Sequence, residues 1–195
     1  MKKIYLTLLV LGATLLNSCS SSTETTPAPS FKINGVTYEL LTSDTDSFNI
    51  TNMVSTPVVF GGQNYVTSIV TIGGTANNST KGGAVAFTLF YKASQGIAGT
   101  YNITNMDDDL EVDLAANQRT VNGWVSVAIV SNTSSQSSEL ELNDPLGSVQ
   151  LISNGGNNYT LKFNNVFRKL NSNNQVTASY PVEIDITGTA SIDNL

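Results

Sequence analysis

From Phe31 onward, apolar and polar side chains exchange places at every second residue through segment after segment. Val182, Ile184, Ile186, Ala190 and Ile192 share one parity, and Glu183, Asp185, Thr187, Thr189 and Ser191 share the other. Tyr159, Leu161, Phe163 and Phe167 stand in the same way against Thr160, Lys162, Asn164 and Arg168. Val85, Phe87, Leu89 and Tyr91 oppose Ala84, Ala86, Thr88 and Phe90. A strand projects its side chains alternately to two faces, so this period predicts strands with one face in a core and one in water. Turn chemistry separates the segments. Asn34-Gly35 suits a tight hairpin, and Gly61-Gly62, Gly73-Gly74, Gly82-Gly83, Asn143-Asp144-Pro145 and Asn154-Gly155-Gly156 read as further reversals. About nine or ten short strands without a helix predict an all-β fold. The expected form is an antiparallel β-sandwich, with a calycin-like open or closed β-barrel as the alternative.

The first thirty residues follow a different rule. Met1-Lys2-Lys3 is basic, and the run from Ile4 to Leu16 is uncharged and mostly apolar. A basic start, a short apolar run and a small residue before a cut describe a secretory signal peptide. The run falls short of the roughly 20 apolar residues that a spanning helix needs. Leu16-Asn17-Ser18-Cys19 resembles the bacterial lipobox, although Asn17 departs from the Ala, Ser or Thr more usual at its position. The resemblance implies that residues 1–18 are removed and that Cys19, the only cysteine, carries lipid. It also implies the outer membrane, because Ser20 rather than Asp follows the cysteine; the face on which the protein sits stays open. Residues 19–30 are rich in Ser, Thr and Pro and read as a flexible tether. Its eleven residues after the cysteine span roughly 17–20 Å root-mean-square as a coil. Residues 31–195 form the expected single all-β domain.

Charge and composition narrow the partners. The chain has nine Lys and Arg against fifteen Asp and Glu. Loss of Lys2 and Lys3 leaves seven against fifteen, a net charge of −8. Such a chain is repelled by phosphate backbones, which argues against nucleic acid, and by anionic headgroups, so the lipid must do the anchoring. With Cys19 acylated no disulfide is available, and the fold must rest on its core.

Catalytic chemistry has few candidates. There is no histidine, which excludes Ser-His-Asp and Cys-His catalysis and imidazole-ligated zinc. Asp107, Asp109, Glu111 and Asp113 fall at every second position of MDDDLEVDL and offer oxygens to calcium. The same spacing fits a charged edge strand, and Leu114 stands where an EF-hand-like loop requires glycine. The pairs Glu183/Asp185 and Glu139/Glu141 have the spacing of glycosidase carboxylates, but so does any polar strand face. Trp124 shares a parity with Asn122, Ser126 and Ala128, against Val121, Val125, Val127 and Ile129. An indole on a small, polar face can stack on a sugar ring; alternatively, the strand is buried on both sides.

FKINGVTYEL directly after a Ser/Thr/Pro tether, GTYNI and GSVQLISNGGNNYTLKF are similar to stretches of small Bacteroidota-type outer-membrane lipoproteins. That resemblance implies a β-sandwich or calycin-like barrel and no particular activity. The leading expectation is a non-enzymatic, lipid-anchored β-domain of the outer membrane acting through surface contacts. It would serve as an envelope scaffold or as an accessory subunit of a transport or secretion complex, with envelope proteins or glycans as partners and no required cofactor. The alternatives are a glycan or small-ligand module using Trp124 and Asn122, and a calcium-stabilised adhesin using the Asp107–Asp113 cluster.

Overall fold

The computed structural model describes residues 28–40, 46–60, 62–76, 81–103, 119–131, 134–142, 144–173 and 175–194. The fold is all-β. Twelve strand segments are present: β1 (Ser30–Ile33), β2 (Val36–Leu40), β3 (Asp46–Phe60), β4 (Gln63–Ala76), β5 (Lys81–Lys92), β6 (Gly99–Ile103), β7 (Thr120–Ser131), β8 (Ser134–Leu142), β9 (Asp144–Pro145), β10 (Ser148–Gly155), β11 (Asn158–Leu170) and β12 (Val176–Asn194). The only helical element among the described residues is one 3₁₀ turn, Ala93–Gln95.

The strands pair in the order β12, β3, β4, β5, β7, β6, β10, β11, and β11 pairs again with β12. The ring therefore closes, which is the barrel form of the expected architecture. All pairings are antiparallel except β3–β12 and β6–β7, which are parallel. Two positions in the wall are shared. Between β12 and β4, the span is filled by β3 at one end and by the β1–β2 hairpin at the other. Between β7 and β11, the β6–β10 pair fills one end, while β8 on β7 and the short β9 on β11 occupy the other. Division of two strand positions between short segments explains why the segments outnumber the nine or ten read from sequence.

The predicted inward residues are the ones that meet. Val85, Phe87, Leu89 and Tyr91 of β5 join Tyr159, Leu161, Phe163 and Phe167 of β11 and Val182, Ile184 and Ile186 of β12 in one buried cluster. An eight-strand barrel has an interior just wide enough for its own side chains. Here Phe87 packs at 5.3 Å from Phe163 and 6.1 Å from Phe167, ring centre to ring centre, joining opposite walls. On β4 and β5 the outward parity is buried as well: Tyr65, Ala86 and Phe90 are 1%, 0% and 6% exposed yet lie outside the inner cluster. This stretch of wall is covered on both sides, unlike the half-buried strand that its alternation suggests.

The glycine-containing dipeptides fall into two groups. Asn34 and Gly35 both have positive φ, 50° and 76°, as a two-residue hairpin between Ile33 and Val36 requires. Gly62, Gly155 and Gly156 also sit at reversals with positive φ. Gly73-Gly74 and Gly82-Gly83 do not turn; they lie inside β4 and β5. Gly74 and Gly83 instead permit close approach. A Cβ on Gly74 would stand 2.4 Å from the Glu39 carbonyl oxygen and 2.9 Å from the Phe31 ring, and one on Gly83 would stand 2.8 Å from Tyr38. The two glycines make a floor on which the stacked Phe31 and Tyr38 rings, 5.5 Å apart, bring the β1–β2 hairpin into the wall.

Candidate functional site

The outward parity of β10, β11, β12 and β1 forms an open groove of about 500 Å³. Register builds it in rows. One row runs Thr100, Gln150, Lys162, Asp185 across β6, β10, β11 and β12. The next runs Asn164, Glu183, Lys32 across β11, β12 and β1. Each row holds one ion pair: Lys162 Nζ to Asp185 Oδ2 at 3.2 Å, and Lys32 Nζ to Glu183 Oε2 at 2.9 Å. All four side chains are about half exposed or more, so water screens the pairs and each contributes at most about 1 kcal/mol to stability. Beyond the first row, Asn154 Nδ2 donates to Thr160 Oγ1 at 3.0 Å, and the Thr160 and Thr187 hydroxyls are 2.7 Å apart. The groove is therefore polar, ordered by cross-strand contacts and balanced in charge.

Glu183 and Asp185, read from sequence as a carboxylate pair, do share this face, but each is committed to its own lysine. Lys32, Lys162 and Gln150 were legible only as members of polar faces. Their convergence depends on β1 pairing with β12, a contact spanning 151 positions, and no local pattern announces it.

The barrel end that holds the C-terminal part of β12 carries a second cluster. The apolar interior gives way there to a chain of polar groups. Asn52 Nδ2 donates to Asn194 Oδ1 at 3.1 Å, the Ser68 hydroxyl donates to Asn52 Oδ1 at 2.7 Å, and the Tyr91 hydroxyl lies 2.9 Å from Ser68 Oγ. Arg119 completes it by lying 5.8 Å from the ring centre of Tyr91 and 5.4 Å from that of Tyr101. It donates to the Tyr101 hydroxyl at 3.1 Å and to the carbonyls of Gly96 and Gln95 at 2.7 and 3.0 Å. The Tyr101 hydroxyl donates in turn to the Ile97 carbonyl. Gly99 leaves room for this arginine, since a Cβ there would lie 2.5 Å from its Nε. The arrangement ties the loop after β5 to the start of β7 and closes the barrel end with satisfied polar groups.

Burial pushes the phenols of Tyr91 and Tyr101 above the ordinary tyrosine value of 10.0, against an opposing pull from Arg119. Both stay protonated in the fold when the unfolded chain ionises them. Above pH 10 the unfolded state therefore binds fewer protons, and stability falls as pH rises. The expected result is a urea midpoint unaffected by tyrosine ionisation up to that pH and a progressive loss beyond it, part of which Tyr101→Phe abolishes.

Other expected site residues fall elsewhere. Asn122 and Trp124 pair through their backbones with Thr88 and Ala86, at positions alternating with the core-facing Val121; their side chains lie outside what the structure describes. Ala86, the register partner of Trp124, is fully buried on that outward parity. Cys19 and the Asp107, Asp109, Glu111 and Asp113 cluster lie outside the described residues. Among the described residues no group of three or more Cys, Asp or Glu side chains is placed to hold a metal ion. No helix among them is long and apolar enough to cross a membrane.

Together these features define a closed β-barrel with a packed interior, a tyrosine–arginine closure at one end and a charge-balanced polar groove on its outer wall. No protein-family model, curated protein or solved structure matches the chain.

Proposed function

We propose that this chain is a lipid-anchored β-domain of the bacterial outer membrane that performs no chemistry itself and works through contacts on its outer surface. The observation that carries this reading is the packed interior. Side chains from β5, β11 and β12 fill the space in which a carrier barrel would hold its cargo, so recognition falls to the outside of the wall. The lipobox-like Leu16 to Cys19 supports the anchor, and the acidic balance supports lipid rather than electrostatic attachment. An envelope scaffold and an accessory subunit of a transport or secretion complex both fit this description. The test is affinity recovery of the lipidated chain from gently solubilised envelopes. An envelope component recovered in constant ratio to the chain is expected. Recovery of the chain alone from every detergent would overturn the surface-contact reading.

A further inference from the structure

We infer that the outer groove binds a neutral, polyhydroxylated chain: a glycan presented close to the membrane surface. The inference rests on the lipid-anchored reading for its location, and on the groove alone for its chemistry.

The chemistry comes first. The charged groove-lining residues are two lysines and two acids, and each lysine already faces an acid. An anionic ligand finds no lysine there without an acid beside it to repel the ligand, and a cationic ligand no acid without a lysine beside it. A ligand rich in hydroxyls breaks neither pair. Each carboxylate uses only one oxygen in its ion pair, which leaves the other to accept from a hydroxyl, and an ammonium has three donors. The side chains of Gln150 and Asn164 add amides that donate and accept beside these charges. Sugar hydroxyls, each both donor and acceptor, match such a mixed array. An apolar ligand does not, because the Phe31 and Phe163 rings of this region belong to the interior cluster.

Shape and place agree. A volume of about 500 Å³ falls within the range of small-ligand sites, and four strands side by side give a floor roughly 14–15 Å across. The groove is open to solvent, so a chain can enter it from outside the wall. Ser30 lines it and also begins β1, directly after the tether. Ser30, the start of this strand, lies only eleven positions after Cys19, so an anchor on Cys19 keeps the groove near sugars displayed at that membrane.

The experiment is titration calorimetry on the full lipidated chain in detergent. The probes are N-acetylglucosamine oligomers and neutral glucan oligomers, with polygalacturonate as the anionic control and an unstructured acidic peptide as the protein-like control. Saturable binding of at least one neutral series is expected, with about tenfold weakening in Asp185→Asn and in Gln150→Ala at unchanged melting temperature. Failure of both neutral series to bind at about 10 mM overturns the inference, as does preferential binding of the anionic or peptide control. Cys19→Ala separates the two readings, since it abolishes anchoring while leaving glycan affinity in detergent unchanged if the groove is the site.

Discussion

Phe87→Ala is expected to cost about 3–5 kcal/mol of folding stability, the largest loss of any single truncation in the barrel. Phe87 is 0% exposed and reaches from β5 to the rings of Phe163 and Phe167 on the opposite wall. Phe163 and Phe167 also meet each other, edge to face, at 5.3 Å. Removing the central ring strips partners from both. Part of the cost is lost transfer free energy and part is the void left behind, and the void persists where the surroundings cannot collapse. A closed ring collapses poorly, because moving β5 inward breaks its pairing with β4 on one side and β7 on the other. Domains of this size are stable by only about 5–15 kcal/mol, so the variant should sit near its unfolding threshold. Urea unfolding checks this as a lowered midpoint at unchanged slope. Phe87→Leu, which keeps most of the volume, should lose far less. A loss below about 1 kcal/mol for the alanine variant would mean that the interior is not packed as described, and the argument for outer-surface recognition would lose its footing.

The core residues of β5, β11 and β12 are legible from their period alone, because alternation states which side chains share a face. Val182, Ile184 and Ile186 against Glu183, Asp185 and Thr187 is the clearest case, and both sets lie where the pattern placed them. Alternation does not state which strands are neighbours. The groove depends on β1 lying beside β12 and β10 beside β11, so Lys32 and Lys162 could be assigned to water but not to a common site. Glycine dipeptides are ambiguous for a related reason. Gly73-Gly74 and Gly82-Gly83 carry the same dipeptide as a reversal, yet Gly74 and Gly83 let Phe31 and Tyr38 approach, and those rings come from a hairpin more than thirty positions away. Ala86 and Phe90 do not by themselves signal that β5 is covered outside as well as inside, since Ala suits either face and a single Phe on the outward parity does not make that face apolar. The Arg119 closure likewise joins residues from the end of β5, from β6 and from the start of β7, each unremarkable in its own stretch.

Cys19→Ala is expected to move the chain from the membrane pellet to the soluble fraction completely rather than partly. Buried methylene groups contribute about 0.8 kcal/mol each, and one acyl chain alone gives only marginal attachment, so stable anchoring takes two. Replacing the cysteine removes the attachment point for all of them at once. The net charge, −6 for the full chain and −8 if residues 1–18 are removed, disfavours anionic headgroups at every ionic strength at which screening is incomplete. The groove lysines are held by Asp185 and Glu183, so they are not free to form a basic patch. The wild-type chain should accordingly resist high-salt washing and yield only to detergent, because a hydrophobic anchor is indifferent to screening. Mass spectrometry of the mature amino terminus provides the direct check, with a Cys19 mass increased by a diacylglyceryl group and an added acyl chain. An unmodified thiol, or a Cys19→Ala chain that sediments with membranes as the parent does, would sink the anchored reading. It would also remove the reason for placing the groove near a membrane, while leaving its charge-balanced chemistry to be judged by the glycan titration alone.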